Sequence, residues 1–284
     1  MRRFIVVIAA MLLPMMTWAQ AQIDTKKMKI SDFTQKITKV VLTGNQFHDA
    51  CLESDVTAKW HASPFEFCTM KEFEKLKSDD NYYFLLTTKG QFKKETEPGL
   101  MFLNLLKGGK DADKGIDHML EVVAFPYASA EDPSGREVVM LPFILDIIQS
   151  YALSSMEKEI NAYMGLTTFA ANVSKTAGMD LVFSESDLSS EITPELRAEC
   201  FTNGVTVLEE SEADKYMSPE RGNTLVSYVA VPTNIKPGAY CYKMLIDPQT
   251  STLYYFRKHK VSKKYGPGFL AEDIKRITAP RNKK

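Results

Sequence analysis

The 284-residue chain is 44% hydrophobic and 25% charged, with a formal net charge of −1. These are the proportions of a folded globular protein, which disfavours disorder, collagen-like sequence and coiled coil. The near-neutral balance also removes the basic excess with which a nucleic-acid binder neutralises phosphates. At ~100–200 residues per domain, the length holds one large domain or two small ones.

The chain opens on Arg2 and Arg3, continues with an unbroken apolar run over 4–13, and reaches the small residues of Ala19-Gln20-Ala21. That pattern predicts a cleaved signal peptide over 1–21, with a mature chain from Gln22. The apolar run is shorter than the ~20 residues that span a bilayer. The next most apolar stretch, 138–151, is interrupted by Pro142, Asp146 and Gln149, so no transmembrane segment is expected in the mature chain. The first cysteine, Cys51, lies far from the cleavage point, which argues against a lipid anchor. The expected location is therefore periplasmic or secreted. Export also removes cytosolic ATP and NAD, and no cofactor is assigned.

In chain order, residues 56–60 read as a short strand, and 70–77 as a helix with Phe73 and Leu76 on one face. Segments 81–88, 100–106 and 119–127 are aromatic or β-branched and predict strands. Pro142 suits the first turn of a long helix. Ile144, Ile147, Ile148, Tyr151, Met156, Ile160 and Tyr163 would line one stripe of it, and Gly165 would end it. Residues 166–190, rich in Ser, Thr and Ala, read as a linker. Beyond it, 205–208, 224–231, 240–246 and 252–258 predict strands, with a turn over 247–251 and a closing helix over 269–277.

The two halves share an order of elements. Asp49-Ala50-Cys51 resembles Ala198-Glu199-Cys200, and Glu97-Pro98-Gly99 resembles Lys236-Pro237-Gly238, each triplet of the second pair standing before a strand. The expected fold is α+β: two related modules, over 22–165 and 191–284. Each would be a mainly antiparallel sheet of three to four strands with packed helices. Charge is uneven: 185–214 carries nine acidic residues against one Arg, and 257–284 ten basic residues against two acids. The second block predicts a basic C-terminal tail, either a solvated face or a docking surface for an anionic partner.

Four cysteines in an exported chain invite disulfides, Cys51 with Cys68 and Cys200 with Cys241 if the halves fold separately. Sequence leaves all three connectivities open. No Cys-x-x-Cys is present. Cys68 is a candidate nucleophile if His61 or His118 folds against it as a base, although isolated Cys and His residues are common without catalysis. The four histidines have no metal-ligand spacing, and no metal is assigned. The acidic loop at Asp111, Asp113 and Asp117 lacks the glycine and glutamate positions of a calcium loop. Tyr82-Tyr83-Phe84 and Tyr254-Tyr255-Phe256 stand at similar points of the two halves. Tyr82, Tyr254, Arg257, Lys258, Lys263 and Lys264 are the candidate binding residues, suited to an envelope protein, a glycan or an anionic surface. The leading expectation is a non-catalytic binding or assembly factor of the cell envelope. A hydrolase of an extracytoplasmic substrate and a periplasmic small-ligand carrier are the alternatives.

Overall fold

The computed structural model describes residues 25–201 and 204–281. The predicted signal peptide lies outside the described residues.

The first half runs α1 (Lys26–Lys29), β1 (Ile37–Leu42), α2 (Gln46–Lys59), β2 (Phe65–Thr69), α3 (Met70–Leu76), β3 (Tyr82–Gly90), β4 (Leu100–Lys107), β5 (Leu120–Ser129), α4 (Arg136–Glu157) and α5 (Glu159–Met164). A 3₁₀ segment, Gly165–Lys175, leads into the second half. That half comprises β6 (Asp180–Ser184), α6 (Pro194–Cys200), β7 (Val205–Leu208), α7 (Glu210–Asp214), β8 (Thr224–Ala230), β9 (Tyr240–Asp247), β10 (Thr252–Lys260) and α8 (Ala271–Thr278).

Each half builds one five-stranded sheet, ordered β2-β1-β3-β4-β5 and β7-β6-β8-β9-β10. In both, the first strand pairs in parallel with its two neighbours, and the last three strands form an antiparallel meander. The topologies are the same. The sheets are thus mixed and five-stranded, not mainly antiparallel with three or four strands. Strands β1, β2 and β6 account for the difference: all are five or six residues long and carry polar or aromatic residues that blur their alternation.

Several local expectations are corrected. Residues 56–60 end α2 instead of forming a strand, because Leu52 and Val56, one turn apart, are both buried. Residues 166–190, read as a linker, contain the 3₁₀ segment and β6, which lies inside the second sheet between β7 and β8. The basic block holds the expected closing helix, α8, whose Ile274 and Ile277 are buried. Helix α4 starts at Arg136, which puts Pro142 inside it in the second turn. Its stripe is buried through Tyr151, whereas Ile160 and Tyr163 belong to the next helix and are exposed.

The layers follow from the hydrophobic clusters. Val41, Phe73 and Phe84 join α3 to the outer face of the first sheet. Val40, Leu52, Val56, Leu105, Met140 and Ile144 pack α2 and α4 on its inner face, and the same cluster continues to Val182, Val226, Met244 and Phe256 of the second sheet. Leu181, Phe183, Leu245, Ile274 and Ile277 then pack the far face of that sheet on α8. Helix α4 is long and apolar enough to cross a membrane by length and composition, but most of its apolar window is buried in this shared core.

Candidate functional site

In each sheet the chain leaves the first strand toward one neighbour and returns to the other, and the two connecting helices lie on opposite faces. In the first sheet α2 packs in the shared core and α3 on the outer side. Parallel strands whose connections diverge in this way leave a crevice outside their carboxyl ends, the usual place for a ligand in such sheets. The molecule has two, one per half.

The first crevice has a volume of about 430 Å³ and opens at the ends of β1 and β3. Thr43, Asn45, Phe47 and His48 come from the β1–α2 turn, Thr87 from β3, Met101 from β4, Tyr127 from β5, and Pro133, Glu137 and Val138 from the entry to α4. The turn is built by local hydrogen bonding. Gly44 adopts φ 88°, open to glycine without strain, and the Asn45 side chain accepts from the Phe47 and His48 N–H groups to cap α2. Asp49 accepts from Thr43 N–H, Thr43 Oγ1 and Gly44 N–H, each at 2.8 Å. Burial alone would raise the Asp49 carboxyl; these hydrogen bonds hold it below its ordinary value.

This turn also places His48. Its Nδ1 lies 3.6 Å from Asp49 Oδ1 without a hydrogen bond, and its Nε2 lies 3.3 Å from the Tyr127 hydroxyl. Burial, and then the charge of Glu137, push that hydroxyl well above its ordinary value. Glu137 is 6% exposed and accepts from Gly135 N–H at 3.1 Å. Gly135 has φ 89°, which lets the chain turn into α4 there.

The second crevice, about 210 Å³, lies at the ends of β6 and β8 and shares Glu137 with the first. An arginine of the other half, Arg136, lines it. Arg136 Nη1 donates to Asp187 at 2.8 Å, Nε to Asp214 at 2.7 Å, and Nη2 to the Ser227 carbonyl at 2.9 Å. The guanidinium also sits 5.4 Å from the centre of the Tyr228 ring. Ser227 Oγ donates to the other Asp187 oxygen and accepts from Ser184 N–H. The Tyr228 hydroxyl donates to the Tyr127 carbonyl, joining the two crevices.

The residues singled out from sequence are dispersed. Cys68 is buried on the outer face of the first sheet, and burial raises its thiol, against the thiolate a nucleophile needs. His61 is exposed after α2, with its N–H donating to Gln149, and His118 is exposed beside Asp117. No hydrogen bond or ion pair among the described residues joins either histidine to Cys68. All four cysteines are free thiols, so neither expected disulfide is present. Cys51 is on α2, inside the shared layer, and Cys68 on the opposite side of the sheet. Cys241 accepts from Gly268 N–H, and its burial pushes the thiol up to about 12.

The two aromatic triplets are not counterparts: Tyr82 is on β3, and Tyr254 is on β10, which corresponds to β5. Lys39 lies over the Tyr82 ring. Arg257 pairs with Glu272 and Asp273, Lys258 covers the Phe92, Tyr240 and Tyr242 rings, and Lys264 covers Tyr265, while Lys263 is exposed. No group of three or more His, Cys, Asp or Glu residues among the described residues is arranged to hold a metal.

Sequence reading missed Phe47, His48, Tyr127, Glu137, Arg136 and Asp187. The available signal was Thr43-Gly44-Asn45, a turn and cap directly after an apolar run. Comparison of the chain with protein-family models, with curated proteins and with solved structures finds no match.

Proposed function

We propose that the chain is a non-catalytic binding factor that acts after export, and that its ligand site is the crevice of the first half. The observation that carries this reading is the open crevice itself. It sits at the carboxyl ends of parallel strands and is walled by Phe47, Met101, Tyr127, Pro133 and Val138, with few polar groups among them. Mostly apolar walls with a few placed polar groups are the composition of small-ligand sites. A carrier of small ligands is favoured over docking through a basic tail, because part of that charge is paired internally. Arg257 pairs with Asp273 and Glu272, and Lys275 with Glu199. Action after export rests on the N-terminal sequence pattern.

Ligand binding to the native state raises the unfolding temperature. A library of small apolar and amphipathic compounds is screened by thermal shift against the chain from Gln22 and its Thr87→Trp variant, which fills the crevice. At least one compound should raise the Tm of the parent and lose that effect in the variant. No shift with any compound, or a shift unchanged by Thr87→Trp, would reject the crevice as the ligand site.

A further inference from the structure

We infer that the ligand of the first crevice carries a cation, an ammonium or guanidinium group on an apolar body; this rests on the binding reading above. The second crevice shows what such a strand-end cleft accommodates in this molecule: a guanidinium held by a carboxylate and laid near a tyrosine ring, Arg136 against Asp187 and Tyr228. The first crevice presents the same two elements, a tyrosine and a carboxylate, in Tyr127 and Glu137, and no Lys or Arg among the described residues lines it.

Among the described residues, Glu137 is the only acidic side chain lining this crevice, and no Lys or Arg lines it. It is 6% exposed and forms no ion pair with a described residue; its hydrogen-bond donors are Gly135 N–H and Ser134 Oγ, at the start of its own helix. A buried carboxylate without a counter-charge attracts a cation more strongly than an exposed one, because the surroundings screen less. His48 does not supply that charge: its ring is directed to Tyr127 on one side and Asp49 on the other. Phe47, 69% exposed, adds a second aromatic face for an incoming cation. A carboxylate ligand would face Glu137 with no cation to offset it.

The test is isothermal titration calorimetry of the chain from Gln22 with three probes of similar body: phenethylamine, phenethyl alcohol and phenylacetate. The amine should bind about tenfold or more tighter than the alcohol, a difference of about 1.4 kcal/mol. Phenylacetate should bind weakest. In Glu137→Gln the preference for the amine should disappear while the alcohol's affinity stays. Equal binding of amine and alcohol to the parent protein would overturn the cation inference and leave the crevice as an apolar site. Binding by none of the three would overturn it together with the reading on which it rests. The probe series on the parent protein decides the matter even if Glu137→Gln does not fold.

Discussion

The two strand-end crevices arise from one topology and differ in size and lining. In the second half a buried arginine lines the cleft, with two carboxylates, a carbonyl and a tyrosine ring around it. In the first half no Lys or Arg among the described residues lines the corresponding cleft, and an ion-pair network lies at the other end of the sheet. There Asp32 accepts from Lys107 Nζ at 2.7 Å and from Tyr83 Oη at 2.6 Å. One crevice therefore carries a charged joint between the halves, and the other, the larger of the two, has no Lys or Arg among its described lining residues. Arg136 and Glu137, adjacent at the start of α4, divide these tasks because successive helical residues point about 100° apart.

The sharpest way to break the comparison is Arg136→Ala. It strands Asp187, 2% exposed, without its counter-charge, and loss of one partner of a buried pair costs about 3–5 kcal/mol. Urea unfolding should report that loss. A change below ~1 kcal/mol would show that the second crevice is not a structural joint. Tyr228→Phe removes the hydroxyl that spans the two crevices and leaves the Tyr127 carbonyl short of a donor. The expected cost is about 1–2 kcal/mol in the same measurement.

Asp32 tests the opposite end of the first sheet. Burial works against its ionisation, but hydrogen bonds from Lys107, Tyr83 and Lys36 lower its pKa from 3.8 to about 2. A carboxyl depressed in the folded state adds stability above its unfolded pKa and loses it as pH falls toward the folded one. The contribution is thus present above pH 3.8 and disappears by about pH 2. Asp32→Asn should flatten the fall of stability across that window in acid titrations followed by circular dichroism. An unchanged profile would remove the carboxylate from the account. The smallest effect is expected at Glu137→Gln, which keeps a hydrogen-bond acceptor at the Gly135 N–H and loses only the favourable charge at the helix start. The cost should be below ~1 kcal/mol, in contrast to its neighbour Arg136.

Much of the meander was legible before the structure. The strands over 81–88, 100–106 and 119–127, and those over 224–231, 240–246 and 252–258, overlap β3–β5 and β8–β10, because β-branched and aromatic runs bounded by turn residues have few other uses. The motifs Glu97-Pro98-Gly99 and Lys236-Pro237-Gly238 do precede equivalent strands, β4 and β9. Their alignment is nevertheless one residue out in the strands themselves. Leu105 and Leu245 are the residues that face the closing helices of their halves, and a one-residue slip in a strand exchanges its faces. Strands β1, β2 and β6 were missed because short parallel strands depend on neighbours far away in sequence.

None of the candidate residues chosen from sequence lines either crevice. They were chosen for local oddity, such as the cysteine beside aromatic residues at Cys68 or the basic run at Lys263 and Lys264. The crevice residues are ordinary in their local context, and only the meeting of a β1–α2 turn, a β5 end and an α4 start makes them a site.

By itself the amino-acid sequence determined the α+β class, the two meanders, the closing helix and the repeated order of elements, since these depend on periodicity and turn chemistry within a few residues. The tertiary structure decided the parallel strands, the fused core around α4, the free thiols, and which crevice carries the buried arginine. Those outcomes depend on pairings such as Arg136 with Asp187, fifty-one residues apart. Such a contact exists only where desolvation, charge and packing from several elements favour it together, and no local pattern records that balance.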